Sequence, residues 1–235
     1  MIGVASRLLY VYAIVDAPIA LADTAGFTQE PLMLVPGPGC WLAAGWIAAA
    51  PTPSGEALRA QDAVVRLLAA RAEALLPLRF GTAFENETAL QRRLERFNPD
   101  HVRAALSRVR GCEQMTLRAF HPASAPAPAP TPAITPGAAS GGPGTAYLTQ
   151  RAAALAIDLP ALLQPLRAAL APLVRDELLD PAHRPPLIGA AYHLIARGDA
   201  DRYRAIVAAC ALPPGITVRM SGPSPAYAFA QDALS

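Results

Sequence analysis

Few side chains in this sequence have the type and spacing to do chemistry, and Arg79 stands first among them. It sits in Leu75–Phe84, LLPLRFGTAF, inside an apolar run with Pro77 upstream and Gly81 two residues on. A guanidinium flanked by Phe80 and Gly81 can take a phosphate or carboxylate bidentately. The competing reading is an internal ion pair, because a buried guanidinium must be paired or cost several kcal/mol. Glu113 opens a later strand and is the expected partner, whereas Glu85 and Glu87 fall in a turn that faces solvent. The ion pair is favoured, and on that reading Arg79→Ala lowers stability.

The remaining candidates are weaker. His101, His121, His183 and His193 are dispersed, and only His193, in the apolar stretch AAYHLIA, has a case for burial. A strand histidine of that kind is more often a satisfied structural group than a base or ligand. Cys40, Cys112 and Cys210 lie far apart, with no CxxC and no histidine at ligand spacing, so neither a zinc site nor a disulfide scaffold is expected. The phosphate-binding, zinc-protease and nucleophile-elbow motifs are absent. The glycine-rich GAASGGPG lacks the flanking strand and helix of a phosphate loop and reads as linker. No cofactor is expected.

The elements that must position these residues follow from periodicity. Arg7–Asp16 is apolar on both faces, as in a central strand. EPLMLVPG and CWLAAGWIAAA make two more strands around the PGPG turn. A helix capped by Thr52 or Ser54 carries Leu58, Val65, Leu68, Ala72 and Leu75 on one face, and Pro77 stops it. LRFGTAF then reads as a short strand. Asn86 caps a helix bearing Leu90, Leu94 and Phe97. Asn98–Pro99 opens another with Val102, Leu106 and Val109, ending at Gly111. From Glu113 the order is strand, long helical region broken near Asp158, strand over Val174–Leu179, strand through His193, helix and closing strand GITVRM. The last helix is capped by Asp199, with Tyr203, Ile206 and Val207 inward. That is the βαββαβ order of a ferredoxin-like fold. The expected fold class is α+β, with an N-terminal α+β domain over 1–111 and a modified ferredoxin-like domain over 112–235. A Pro/Ala/Gly-rich insertion over 121–144, without charge, is expected to be disordered.

Composition removes several classes of function. The net charge is only +2, all basic residues other than histidine are arginine, and 6% of residues are aromatic, so no nucleic-acid surface is expected. The charge-free stretch Pro31–Gly55 is interrupted by Pro36–Gly39, leaving neither half long enough for the roughly 20 apolar residues of a span. A soluble, cytoplasmic protein without a signal peptide is expected.

Several of these stretches together resemble the gas vesicle GvpF/GvpL family. They are LYVYAIV, LLPLRFGTAF, RVRGCEQMTL, GTAYL with Tyr147 and Leu148, AAYHLIAR with Tyr192, and the tail SGPSPAYAFA. The likeness runs in order along nearly the whole chain. In the tail, Gly222, Pro223, Pro225, Tyr227 and Phe229 match the family pattern, while Ser224, Ala226 and Ala228 stand where it has tryptophan, proline and serine. The resemblance implies an accessory protein of gas vesicles, an assembly factor or minor shell component. It implies contact with the small hydrophobic shell protein GvpA and other accessory proteins, and no catalysis. Arg79, Phe80, Gly81, Glu113, Tyr147, Leu148 and Tyr192 would be architectural, and the matching tail residues would meet a partner. An apolar surface or open sheet edge on the C-terminal domain would seat that partner. A rival expectation is a regulatory module of ferredoxin-like fold that binds a small anion through Arg79 or Arg219.

Overall fold

Strand β1 (Leu8–Val15) is the axis of the first sheet, and seven of its eight residues are buried. The structure, a computed structural model, describes residues 7–121, 159–182 and 186–230. Strands β2 (Leu32–Gly37) and β3 (Cys40–Ile47) form the hairpin expected around PGPG. β3 pairs antiparallel with β1 from Leu8↔Ile47 to Val15↔Trp41, with a register shift between Val11 and Ala13. The other side of β1 is shared by two short strands, β4 (Leu75–Pro77) and β5 (Ala83–Phe84), giving the order β2-β3-β1-β4 with β5 also on β1.

Helix α1 (Gly55–Ala69) begins at Ser54, whose hydroxyl accepts from the N–H of Ala57. It buries Val64, Val65 and Leu68 against Tyr10, Tyr12 and Val15 of the sheet. Two positions of its expected stripe behave otherwise. Leu58 is 50% exposed, and Leu75 lies beyond the helix, in β4. Pro77 does not stop the helix, which ends eight residues earlier. Pro77 instead pairs with Ala13 in a short strand on the rim of the sheet, where a missing N–H is tolerated. Helices α2 (Glu87–Leu94) and α3 (Pro99–Val109) are capped by Asn86 and Asn98 as expected, and bury Leu90 and Leu94, then Val102, Leu106 and Val109.

The second sheet has the order β7-β8-β6-β9, from β6 (Cys112–Phe120), β7 (Val174–Pro181), β8 (Leu187–Ala196) and β9 (Thr217–Ser224). Helices α4 (Leu159–Leu162) and α5 (Gln164–Leu170) precede β7, and α6 (Ala200–Ala209) joins β8 to β9. This is the split βαββαβ order, with its first and third strands in the middle. Asp199 makes no side-chain capping bond, and Ile206 and Val207 are half-buried where a buried face was expected. β9 runs past Met220 to Ser224, taking the start of the expected tail into the ladder.

The fold is therefore α+β with two sheets. The chain divides into two compact units, residues 1–114 with 194–197 and 223–235, and residues 115–193 with 198–222. The expected insertion, the break near Asp158, and Tyr147, Leu148 and His183 lie outside the described residues, apart from His121 at the edge of the insertion. Among the described residues no helix is long and apolar enough to cross a membrane.

Candidate functional site

The segment between β4 and β5 makes the first unit's most distinctive surface. The ladder with β1 continues on both sides of it: Leu78 N–H donates to Tyr12 O at 2.9 Å, and Val11 N–H donates to Thr82 O at 2.9 Å. Between those bonds, Arg79, Phe80 and Gly81 loop out of the sheet. The loop closes on itself, because Thr82 donates to Arg79 O from its N–H (3.2 Å) and its hydroxyl (2.8 Å). Gly81 turns it with φ of +87°, a conformation that disfavours any residue with a Cβ.

Two buried polar side chains brace this loop from below. Gln61 donates its amide N–H to Leu78 O at 3.0 Å. Tyr10 donates its hydroxyl to Gln61 Oε1 and accepts from Gly81 N–H at 2.9 Å. Burial raises the Tyr10 pKa, so the phenol stays a donor across the physiological range. Tyr10, Tyr12 and Phe27 surround the brace with edge-to-face ring contacts of 4.9–5.8 Å.

This geometry corrects the expectation for Arg79. The residue is exposed, lies outside any strand, and makes no ion pair with Glu113. Glu113 is half-buried in β6 and has its own interactions. Among the described residues the Arg79 guanidinium has no partner at all. Arg79→Ala should thus leave the melting temperature unchanged, contrary to what the apolar context of LLPLRFGTAF predicts.

Beside the looped-out segment lies a cleft of about 630 Å³. Leu58, Leu78, Phe80, Phe84, Leu90 and Phe97 wall it, with Arg79, Arg93 and Asp62 as its charged residues. Its size is that of pockets that accept sizeable ligands, about 300–1,000 Å³. Tyr227 and Ala230 of the C-terminal tail complete the wall.

The tail is held by contacts within its own unit. Tyr227 donates to Asp62 Oδ1 at 3.0 Å, and Arg66 pairs with the other oxygen of Asp62 at 2.6 Å. Burial and the Asp62 carboxylate push the Tyr227 pKa up, keeping it a neutral donor. Buried Gln114 accepts from Ala228 N–H at 2.9 Å. Phe229 is 2% exposed beneath the Arg108 guanidinium, 4.9 Å from its ring centre. Phe229 and Pro225 are therefore buried within the chain, and of the matching tail residues only Tyr227 lines the cleft. Pro223 offers its carbonyl to Arg66, and Gly222 offers its own to Arg204.

The second unit gathers a different set. His193, 1% exposed, lies between Tyr203 (Nδ1 to hydroxyl, 2.6 Å) and Glu177 (Nε2 to Oε1, 3.0 Å). Arg167 clasps both oxygens of Glu177 at 2.7–3.0 Å. A neutral imidazole protonated on Nε2 satisfies both neighbours, so the cluster reads as a closed structural brace. Arg219, the other proposed anion anchor, stacks over Phe120 at 5.2 Å, and Tyr192 is half-buried in β8. Among the described residues no group of three His, Cys, Asp or Glu side chains is placed to hold a metal.

The brace carries a pH dependence. Burial holds the His193 pKa below its ordinary 6.5, outweighing the nearby Glu177 carboxylate. Burial alone would raise Glu177, but Arg167 and His193 hold it below 4.5. In both cases the unfolded state takes up the proton first as pH falls. Stability is thus complete above pH 6.5 and is lost in acid, first through His193 and then below 4.5 through Glu177. The slope approaches about 1.4 kcal/mol per pH unit for each proton. Melting temperatures should fall from pH 6.5 downward in the native chain, and His193→Gln should flatten the first part of that decline.

Sequence reading missed Gln61 and Asp62, which line the cleft, and Gln114, which holds the tail. Gln61 had a signal, since it stands three residues after Leu58 and four before Val65, a polar side chain on the apolar stripe of α1.

The family model for "Gas vesicle synthesis protein GvpL/GvpF" matches residues 8–231. The fold is similar to the crystal structure of the gas vesicle protein GvpF from Anabaena sp. PCC7120, at 18% identity and a TM-score of 0.68, covering 96% of this chain and 97% of that one. It is also similar to GvpF from Microcystis aeruginosa, at 16% identity and a TM-score of 0.67, covering 95% and 99%. A comparison with curated protein sequences finds no match.

Proposed function

From the premise that the chain belongs to the GvpL/GvpF family of gas vesicle synthesis proteins, we propose that it is a non-enzymatic accessory protein that binds the small hydrophobic shell protein GvpA. It would act as an assembly factor or minor shell component, in the cytoplasm and at the gas vesicle. We read the chain as an α+β domain over 1–111 followed by a ferredoxin-like domain over 112–235.

The observation that carries this reading is the cleft. It presents the half-exposed Leu58 at its rim beside the half-buried rings of Phe80, Phe84 and Phe97. Surfaces of that kind on a soluble domain mark interaction sites. Their cost is offset when an apolar partner covers them, at about 25 cal/mol per Å² of apolar area buried. On this reading the seat lies in the first unit, whereas the sequence pointed to an apolar surface or open sheet edge of the C-terminal domain. The polar groups deep in the unit are spent on bracing, and among the described residues no base or nucleophile converges with Arg79.

The test is retention of the full chain on immobilised cognate shell protein. Wild type should bind, and Leu58→Asp should bind at least tenfold more weakly with an unchanged melting temperature, because position 58 is half-exposed. Absence of wild-type binding would remove the reading.

A further inference from the structure

We propose that the cleft's occupant is an apolar segment of the partner protein carrying a carboxylate beside its apolar side chains, and that Arg79 receives that carboxylate. The inference rests on the reading that the shell protein is the partner.

Three observations lead there. The first is charge. Two arginines and one aspartate line the cleft, and the aspartate is already taken by Arg66 and Tyr227. Arg93 lies over the Phe97 ring at 5.0 Å and has a further interaction. Among the described residues, that leaves the Arg79 guanidinium as the cleft's unanswered charge. A wholly apolar segment seated here would strip water from it with nothing in return, which weakens binding. A carboxylate on the segment turns that cost into a charge-assisted, bidentate contact.

The second is preorganisation. Arg79 is not on a free loop. Its segment is fixed at Leu78 by Gln61, at Gly81 by Tyr10, and at Arg79 O by Thr82. An exposed arginine whose backbone is braced by two buried side chains loses less freedom on binding than one on a mobile turn.

The third is the character of the walls. A small inorganic anion would engage Arg79 and leave Leu58, Phe80 and Phe97 wet. The cleft answers both parts of an amphipathic segment and only one part of a bare anion. A carboxylate at the rim also selects among apolar segments, because one bearing a cation or no charge there is penalised.

The experiment uses the full chain and immobilised shell protein, comparing wild type, Arg79→Lys, Arg79→Ala and Arg79→Glu at low and high salt. Arg79→Glu should weaken binding by about tenfold or more and remove most of its salt dependence, with Arg79→Ala intermediate and Arg79→Lys nearest wild type. Thermal unfolding of all four should coincide. A second arm replaces each acidic residue of the shell protein with arginine in turn, and one of these should restore binding to Arg79→Glu. If wild type binds and Arg79→Glu binds equally well, this inference falls while the binding reading stands. If Arg79→Glu is weak and no charge-swapped shell variant rescues it, the carboxylate is overturned. If wild type fails to bind, both fall together.

Discussion

Replacing Phe229 with alanine is expected to lower stability by about 3–5 kcal/mol, the largest effect of any single substitution in the first unit's tail. The ring is 2% exposed, so its removal leaves a cavity as well as losing apolar burial. It also removes the surface under the Arg108 guanidinium, a contact of about 0.5–2 kcal/mol. Tyr227 and Ala230 stand two residues before and one after it, and both line the cleft. Once Phe229 no longer anchors the tail, more of its hold falls on polar contacts, the Tyr227–Asp62, Ala228–Gln114 and Arg66–Pro223 bonds. Chemical denaturation measures the loss, and Phe229→Leu should recover part of it. A loss under about 1 kcal/mol would mean that the ring is not packed as described.

Gln61→Leu is the second large effect, expected at about 2–4 kcal/mol although leucine matches the side chain in size. The substitution strands two buried groups at once: the Leu78 carbonyl loses its donor and the Tyr10 hydroxyl loses its acceptor. Each orphaned group carries its own desolvation cost. Tyr10→Phe in the same background should cost less than it does in wild type, because the hydroxyl proton has then already lost its acceptor and only the bond from Gly81 N–H remains to be lost, and a double-mutant cycle shows that coupling. The Arg79 segment should also loosen, so shell-protein binding falls further than lost stability alone explains. A variant as stable as wild type would contradict the brace.

Most of the helices and strands were legible because their signals are local. Asn86 and Asn98 cap where they were expected, PGPG makes its hairpin, and β1 is apolar on both faces as a strand between two neighbours must be. The strand order of the second sheet agrees with the βαββαβ element sequence. The looped-out segment was not legible. LLPLRFGTAF is apolar and β-prone throughout, and nothing local says that the ladder skips Arg79–Gly81. That depends on where Tyr10 and Gln61 sit in three dimensions, 71 and 20 residues from Gly81. The burial of Arg79 was inferred from its apolar neighbours in sequence, but the loop turns it outward. Leu58 misled in the same direction: it has helical spacing with Val65 and Leu68, yet lies at a cleft that the α1 face leaves open. His193 was legible as a buried structural histidine, while its partners Glu177, Arg167 and Tyr203 come from three other elements and could not be paired from spacing.

Hydrogen exchange on the full chain, with and without shell protein, tests the cleft most directly. The backbone around residues 78–84, the N-terminal half of α1 near Leu58, and α2 should gain protection together, while β7 and α6 of the second unit keep their exchange rates. Protection confined to β7, β8 or α6, with 78–84 unchanged in bound protein, would contradict the account.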